Sequence, residues 1–209
     1  MATGTNSQLV NELNINSERA DELRFAVGVN TLFTDKVKPG DKRWWKLNMT
    51  FQTYQLTARE LLASIHTGYT WTAPHRKERH LRPDGKRTTF RVKKNVIGVQ
   101  AIGLDSDTGD ERSALAWWES DPFFAQYGAF AHTTASHQQD APRCRVVFVL
   151  PELWTVGDAE LLLRALHERY PHIDHSAKDA SRIFYGARGC SYVMPENVMP
   201  QDVAQALIL

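Results

Sequence analysis

The sequence predicts an α+β protein in which an antiparallel sheet is backed by helices. One observation is a set of short apolar runs of strand length, of which Arg145–Leu150 (RVVFVL) is the clearest. The other is the element order in the C-terminal half of the chain, which is strand, helix, strand, a hairpin-linked strand, helix and strand. This order is typical of an antiparallel sheet with helices packed on it.

The composition is that of a globular chain with little net charge. The 209 residues are 42% hydrophobic and carry a formal net charge of +1, so the whole chain does not indicate a nucleic-acid partner. Cys144 and Cys190 lie far apart without metal-ligand spacing, which argues against a disulfide scaffold or a zinc ribbon. No signal peptide or apolar run of membrane length is recognisable. We therefore expect a cytoplasmic protein without a membrane partner.

Residues 1–95 are predicted to form a smaller α/β module. The polar segment up to about Ser17 is expected to fray, and a short helix is predicted at Ser17–Leu23. Strands are predicted at Phe25–Phe33 and at Trp44–Tyr54. The aromatic side chains of the second strand are assigned to core packing rather than to base stacking.

A helix of this module is marked at both ends. Thr57 and Glu60 form a capping box, and leucine and isoleucine follow at helical spacing. The predicted helix runs to about His66, and Gly68 ends it.

A basic segment, residues 75–94, follows. Its acidic residues are Glu78 and Asp84, against a large excess of lysine and arginine. Such a run is ordinarily a solvated loop, and it could equally grip phosphates. We expect an exposed loop or hairpin with a turn at Pro83–Gly85. Its candidate nucleic-acid-binding residues are Arg76, Lys77, Arg87, Arg91 and Lys93.

The stretch Val96–Asp107 (VIGVQAIGLDSD) is predicted to be a central strand that runs into two carboxylates. Successive strand residues point to opposite faces, so Asp105 and Asp107 share a face. Two carboxylates on one face repel each other unless a proton or a cation such as Mg²⁺ or Mn²⁺ neutralises them. For this motif alone, the simpler interpretation is that Asp105 caps the following loop.

Residues 96–209 are predicted to form the larger module, an RRM-like sheet. Arg143 and Arg145 share one face of its clearest strand, and Ile173 is expected to place Asp174 at a strand end. The other predicted elements are a helix at Glu111–Ser120, a strand at Ala129–Thr134, a helix from Thr155–Asp158 to about Tyr170, a strand at Ser181–Gly186 and a last helix from Gln201.

Three short motifs follow one another along this module. They are Asp105-x-Asp107 after a hydrophobic strand, Ser136-His137 followed by Arg143-x-Arg145, and Ile173-Asp174 followed by Lys178 to Arg182. The ordered set resembles the archaeo-eukaryotic primase superfamily, in the primase-polymerase branch of mobile-element and CRISPR-associated replication proteins. The longer forms TASH, P-R-x-R-V-V-F and D-x-S-R-x-F-Y-G strengthen the resemblance, which covers roughly residues 57–186.

One departure concerns the second motif. The superfamily's Ser-x-His would place a serine at position 135, where this chain has Ala135 with Ser136 beside it. His137 therefore matches the motif well, and Ser136 matches it only as a loop donor.

The resemblance implies a template-dependent DNA or RNA primase-polymerase with a catalytic cleft between the two modules. It implies two divalent cations, Mg²⁺ or Mn²⁺, bound by Asp105, Asp107 and Asp174. The implied partners are a single-stranded DNA template, a primer, NTP or dNTP, and a fused or partner helicase. Residues 1–209 would be one catalytic domain of a longer protein. The implied nucleotide-binding residues are Ser136, His137, Arg145 and Arg182, and Arg143 joins the nucleic-acid-binding residues.

Several residues keep an alternative interpretation. Asp179 rivals Asp174 as the third carboxylate, and Asp174 could instead cap the turn before Ser176. Arg182 could pair with Asp179, and His137 taken alone is a surface histidine.

Two other functions remain open at this stage. A rolling-circle replication initiator also uses an RRM-like sheet with a metal, but it needs a close histidine pair, and His132 and His137 are too widely spaced. A non-catalytic module that binds single-stranded nucleic acid would use the basic segment and the aromatic residues. Three carboxylates argue against it, because they repel a phosphate backbone unless metals bridge them.

Overall fold

The computed structural model describes residues 22–176 and 178–209. The segment up to Ser17 and nearly all of the helix predicted at Ser17–Leu23 lie outside the described residues. The strands of the described part pair only antiparallel, and helices pack on the sheets. The α+β class, with an antiparallel sheet backed by helices, is therefore confirmed.

The elements alternate along the chain without a repeat. The strands are β1 (Phe25–Asn30), β2 (Gln52–Leu56), β3 (Thr70–Thr72), β4 (Val99–Ser106), β5 (Phe130–Thr133), β6 (Cys144–Trp154) and β7 (Tyr192–Val193). The helices are α1 (Trp44–Met49), α2 (Ala58–Thr67), α3 (Leu115–Ser120), α4 (Pro122–Tyr127), α5 (Val156–Arg169) and α6 (Gln201–Ile208), with 3₁₀ turns at Lys93–Asn95 and Glu111–Ser113.

The strands form two sheets. The first has the order β2-β1-β3, and the second has the order β4-β6-β5-β7. In the second sheet, β4 and β6 pair in a register that places Asp105 opposite Arg145 and Gly103 opposite Val147. On the other side of β6, β5 places His132 opposite Arg145. Three polar residues therefore form a row across the sheet at the end of β4.

Strand β6 is buried on both faces because each face has its own apolar cluster. Phe148 and Leu150 point to the helices, where they join Trp118, Phe124, Leu162 and Ala204. Val147 and Val149 point the other way and join residues of the first sheet and of α2, namely Phe25, Val27, Leu61 and Ile65. The predicted alternation of β6 is confirmed, and the second cluster packs the two sheets against each other.

Helix α2 confirms its predicted capping. The Thr57 hydroxyl accepts a hydrogen bond from the Glu60 N–H, and the Glu60 carboxylate accepts one from the Thr57 N–H. Gly68 ends the helix with φ of +103°, a left-handed conformation that favours glycine.

The strand predicted at Trp44–Tyr54 is wrong in its first half, which forms α1, and strand β2 begins only at Gln52. Trp44, Leu47 and Phe51 pack in one small cluster, and their spacing of three and four residues is helical. The run of aromatic residues made this helical spacing hard to recognise in the sequence. Trp45 points away from the cluster and is 54% exposed, so its assignment to the core is also wrong.

Three other element predictions are corrected. The predicted strand at Ser181–Gly186 reduces to one bridge between Phe184 and Trp71, because the Tyr185 carbonyl accepts a hydrogen bond from a side chain, that of Arg145. Strand β4 begins at Val99 rather than Val96, and it lies at the edge of its sheet, so its predicted central position is wrong. The helix predicted at Glu111–Ser120 begins as a 3₁₀ turn, which the Asp110 side chain caps, before α3 starts at Leu115.

Gly186 provides a test of how tightly the two halves of the chain pack. A Cβ atom there would collide with the backbone of Gly68 and lie 2.5 Å from the Tyr69 carbonyl oxygen. We expect Gly186→Ala to lower the free energy of unfolding by about 1–3 kcal/mol, because backbone cannot move aside as a side chain can. Chemical denaturation measures the change.

Gly157→Ala is the matched control, since a Cβ atom there meets nothing closer than 3.9 Å. We expect it to leave stability unchanged or to raise it by up to about 1 kcal/mol. Equal losses in both variants would contradict the close approach at Gly186.

Candidate active site

A cleft of about 420 Å³ opens where the end of β4 and the start of β6 face the loop between β1 and α1. Lys36, Trp44 and Tyr185 line it, although the sequence analysis did not single them out as site residues. The predicted residues that line it are Asp105, Asp107, Ser136, Arg143, Arg145, Asp174, Arg182 and, from the basic segment, Arg91.

Asp105 is a buried carboxylate held between two guanidinium groups. Arg145 Nε donates to its Oδ1 at 2.7 Å, and Arg182 Nη2 donates to its Oδ2 at 3.0 Å. Burial disfavours the charged form of Asp105, but the two positive charges and their hydrogen bonds outweigh it and lower the pKa of the carboxyl group. Asp105 is therefore ionised at neutral pH, and both its oxygens are occupied.

Arg145 is fixed on several sides. Its Nη1 donates to the Tyr185 carbonyl at 2.9 Å, and its guanidinium lies 4.8 Å from the centre of the Phe184 ring. Its neighbour on β5, His132, is fully buried, and burial together with the charge of Arg145 lowers the pKa of His132 to about 3. His132 therefore stays neutral beneath the site. Because His132 is buried and His137 is exposed, the two do not form the pair that a rolling-circle initiator needs.

Asp174 reaches the cleft from a loop, so its expected position at a strand end is wrong. Its backbone N–H donates to the Asp105 carbonyl at 2.8 Å, which ties the loop to the end of β4. Its carboxylate accepts bonds from the N–H and hydroxyl groups of Ser176 and from Arg182 Nη2 at 3.1 Å. Burial opposes ionisation, but these hydrogen bonds and the Arg182 charge lower the pKa of Asp174.

The alternative interpretations of this segment are resolved by geometry. Asp174 caps the turn before Ser176 and also faces the cleft. Asp179 accepts hydrogen bonds from Ser181 and does not line the cleft. The Arg182 side chain pairs with Asp105 and Asp174 instead of Asp179.

Asp107 is the free carboxylate of the cleft. It accepts no hydrogen bond from any residue that the structure describes, and it is exposed. Partial burial and the negative charges of Asp174 and Asp105 raise its pKa. The positive charges of Arg143 and Arg182 offset this effect only in part.

These carboxylates fit a divalent cation in their chemistry but not in their present arrangement. Among the described residues, no group of three His, Cys, Asp or Glu side chains is arranged to hold a metal ion. Arg182 donates to both Asp105 and Asp174, so the positive charge between them is a guanidinium. Hard cations prefer carboxylate oxygens, and the raised pKa of Asp107 shows that a cation would relieve repulsion.

The second motif lines the cleft with Thr134, Ala135 and Ser136 but not with its histidine. Ser136 lines the cleft, whereas His137 is exposed and does not. The Nδ1 atom of His137 accepts a hydrogen bond from the Arg143 N–H at 3.1 Å. His137 thus holds the turn that leads into β6.

The basic segment divides into an exposed part and an anchored part. Arg76, Lys77 and Arg87 are exposed and outside the cleft, and Lys93 forms an ion pair with Glu160. Arg91 turns inward, where its Nε donates to Asn48 Oδ1 and its Nη1 donates to the Ser181 carbonyl. Burial lowers the pKa of Arg91.

A scan against protein-family models finds no match, and a search of curated proteins finds none either. Among solved structures, the chain is similar to the AEP domain of the primase-polymerase (PrimPol) of cyanophage S-2L. The TM-score is 0.48 and the sequence identity 13%, over 98% of each chain. A similarity at this TM-score and identity does not establish the activity of this chain. No helix in residues 22–176 and 178–209 is long and apolar enough to cross a membrane.

Asp105 and Asp107 are two residues apart, and we expect opposite effects on stability when each is replaced by asparagine. Asp105→Asn leaves Arg145 without a carboxylate partner and Arg182 with Asp174 as its partner, and it should cost about 3 kcal/mol or more. Asp107→Asn removes repulsion and should change stability by less than about 0.5 kcal/mol, in the stabilising direction. Chemical denaturation of the metal-free protein at pH 7 measures both.

The contributions of Asp105 and Asp107 to the free energy of unfolding should depend on pH in different ways. The lowered pKa of Asp105 means that its stabilising contribution is present above the ordinary carboxyl pKa and is lost as the pH falls. The raised pKa of Asp107 means that its unfavourable ionisation, and hence the gain from Asp107→Asn, disappears at low pH. A large loss from Asp107→Asn at pH 7 would contradict this division.

Proposed function

We propose that this protein is a template-dependent nucleotidyltransferase, a primase-polymerase that adds nucleotides from NTP or dNTP to a 3′-hydroxyl on a single-stranded DNA template. The observation that carries the proposal is the convergence of Asp105, Asp107 and Asp174 with several guanidinium groups in one cleft. Carboxylates and guanidinium groups in one cleft suit nucleotidyl transfer, because the carboxylates can bind metal ions and the guanidinium groups can bind the triphosphate. The ordered motifs of the sequence support the same reaction class.

Asp105, Asp107 and Asp174 would hold the Mg²⁺ or Mn²⁺ ions. When bound, the ions would lower the pKa of the attacking 3′-hydroxyl and offset the charge of the triphosphate. Arg145 would keep Asp105 ionised and oriented. Arg182, now paired with Asp105 and Asp174, would turn to a phosphate oxygen once cations take its place, since a guanidinium matches either partner.

The surroundings of the cleft suit a nucleic-acid substrate. The exposed basic residues Arg76, Lys77 and Arg87 would contact the template backbone without reading its sequence. The apolar cluster shared by the two sheets supports the proposal that residues 1–95 and 96–209 act as one catalytic domain.

A primer-extension assay with Asp107→Asn tests the proposal. Because Asp107 has no hydrogen bond to a described residue, the variant should fold normally while losing a metal ligand. We expect product formation with Mn²⁺ or Mg²⁺ to fall by about 100-fold or more. Reactions with NTP or dNTP, with and without primer, measure sugar preference and primer synthesis.

Asp110→Asn is the matched control, because Asp110 lies outside the cleft and pairs with Arg112. It should extend primers at the unaltered rate. If the unaltered chain makes no product and all three proteins bind single-stranded DNA equally well, the enzyme proposal fails and a non-catalytic binding module replaces it.

A further inference from the structure

Three of the five cationic side chains that line the cleft are already engaged by protein groups. Arg145 is held by Asp105 and the Tyr185 carbonyl, and Arg182 by Asp105 and Asp174. Arg91 donates to two neutral oxygens of the protein. The two that remain are Lys36 and Arg143.

The side chains of Lys36 and Arg143 make no ion pair or hydrogen bond with any residue in the described part of the chain. The bonded groups of Arg143 belong to its backbone: its N–H donates to His137 Nδ1, and its carbonyl accepts from the Thr134 N–H. Both side chains nevertheless line the cleft. Asp107 and Asp105 act on them only through space, and a cation that faces a cleft without a bonded carboxylate is available to an anionic ligand.

The loop that carries Lys36 is anchored on both sides of it. Val37 is fully buried, and its carbonyl accepts a hydrogen bond from the Tyr185 hydroxyl at 2.7 Å. The Lys36 Nζ lies 5.2 Å from the centre of the Tyr185 ring. Asp35, the neighbouring acidic residue, is paired with Arg43, so it does not neutralise Lys36.

The electrostatic environment of Lys36 is cationic. Burial lowers its pKa, and the positive charges of Lys38, Arg145 and Arg143 lower it further, against the opposing charge of Asp105. Such crowding of positive charges is unfavourable, and a bound anion would relieve it. The ligand chemistry that matches two separated cations near three carboxylates is a polyphosphate chelated by a divalent cation.

We propose that Lys36 and Arg143 form the phosphate-binding pair of the cleft, Lys36 from the loop between β1 and α1 and Arg143 from the start of β6. The proposal rests on the proposed function and adds a residue from the N-terminal half that no motif predicts. It implies that a bound triphosphate would contact both halves of the chain. Arg145 and Arg182, by contrast, are bonded to the carboxylates in this structure.

The test is isothermal titration calorimetry with inorganic tripolyphosphate and with dATP, in the presence of Mg²⁺ and without template. We expect Lys36→Ala and Arg143→Ala each to weaken tripolyphosphate binding by about tenfold or more, the loss expected for one charge-assisted hydrogen bond. Lys36→Arg should restore most of the affinity, because it returns a cationic donor to the same place.

Lys38→Ala is the matched control, since Lys38 lies two residues along the same loop and does not line the cleft. It should bind within about twofold of the unaltered protein. Lys36 is exposed, so its variant should keep the unaltered melting temperature, which separates a lost contact from a lost fold.

The outcomes separate the inference from the function on which it rests. If the unaltered protein binds tripolyphosphate and Lys36→Ala binds it equally well, the phosphate-binding pair is refuted and the proposed function stands. If the unaltered protein binds neither tripolyphosphate nor dATP, the proposed function fails and the inference fails with it.

Discussion

The ion pair between Asp105 and its two arginines is the constraint on which the site depends. A buried carboxylate is costly without a counter-charge, and here both of its oxygens are satisfied by guanidinium groups. The antiparallel register of β4 and β6 places Asp105 opposite Arg145, so one contact is set by the sheet itself. The other contact, from Arg182, connects the sheet to the loop that carries Asp174.

The carboxylates of the cleft divide into two kinds because of this arrangement. Asp105 is buried, paired and ionised, and it organises the arginines around it. Asp107 is exposed and has no hydrogen-bond partner among the described residues, and partial burial and its acidic neighbours raise its pKa. The D-x-D spacing therefore places one carboxylate bonded to arginines and one exposed carboxylate in the same cleft. The simpler interpretation of Asp105 as a loop cap does not account for its two guanidinium partners.

Much of the fold is predictable from local pattern, and the exceptions have physical causes. Strand β6 and helix α2 are predictable because a continuous apolar run and a capping box each specify their element through neighbouring residues. Helix α1 is not, because its aromatic run conceals a helical spacing. The segment Ser181–Gly186 reads as a strand, but the Tyr185 carbonyl bonds to Arg145 from a distant strand.

The candidate site is likewise predictable from the sequence only in part. The ordered motifs identify Asp105, Asp107 and Asp174, which the structure brings to one cleft. Lys36 belongs to no motif, since a lysine in a loop carries no local signal of the cleft it faces. Its position depends on the buried Val37 and on the Tyr185 hydroxyl, which donates to the Val37 carbonyl from 148 residues beyond Val37. Only the folded chain places such residues together.

The proposed function requires Arg182 to leave the carboxylates for a triphosphate oxygen when cations bind. Arg182 competes with a cation for Asp105 and Asp174, and a triphosphate offers it another partner, so metal and nucleotide should each strengthen binding of the other. The most direct measurement is Mn²⁺ affinity, by electron paramagnetic resonance, with and without a non-hydrolysable nucleoside triphosphate. The account predicts Mn²⁺ binding at least about fivefold tighter to the protein–nucleotide complex than to the protein or the nucleotide alone. Equal affinity for the protein with and without nucleotide, or no Mn²⁺ binding at all, would contradict it.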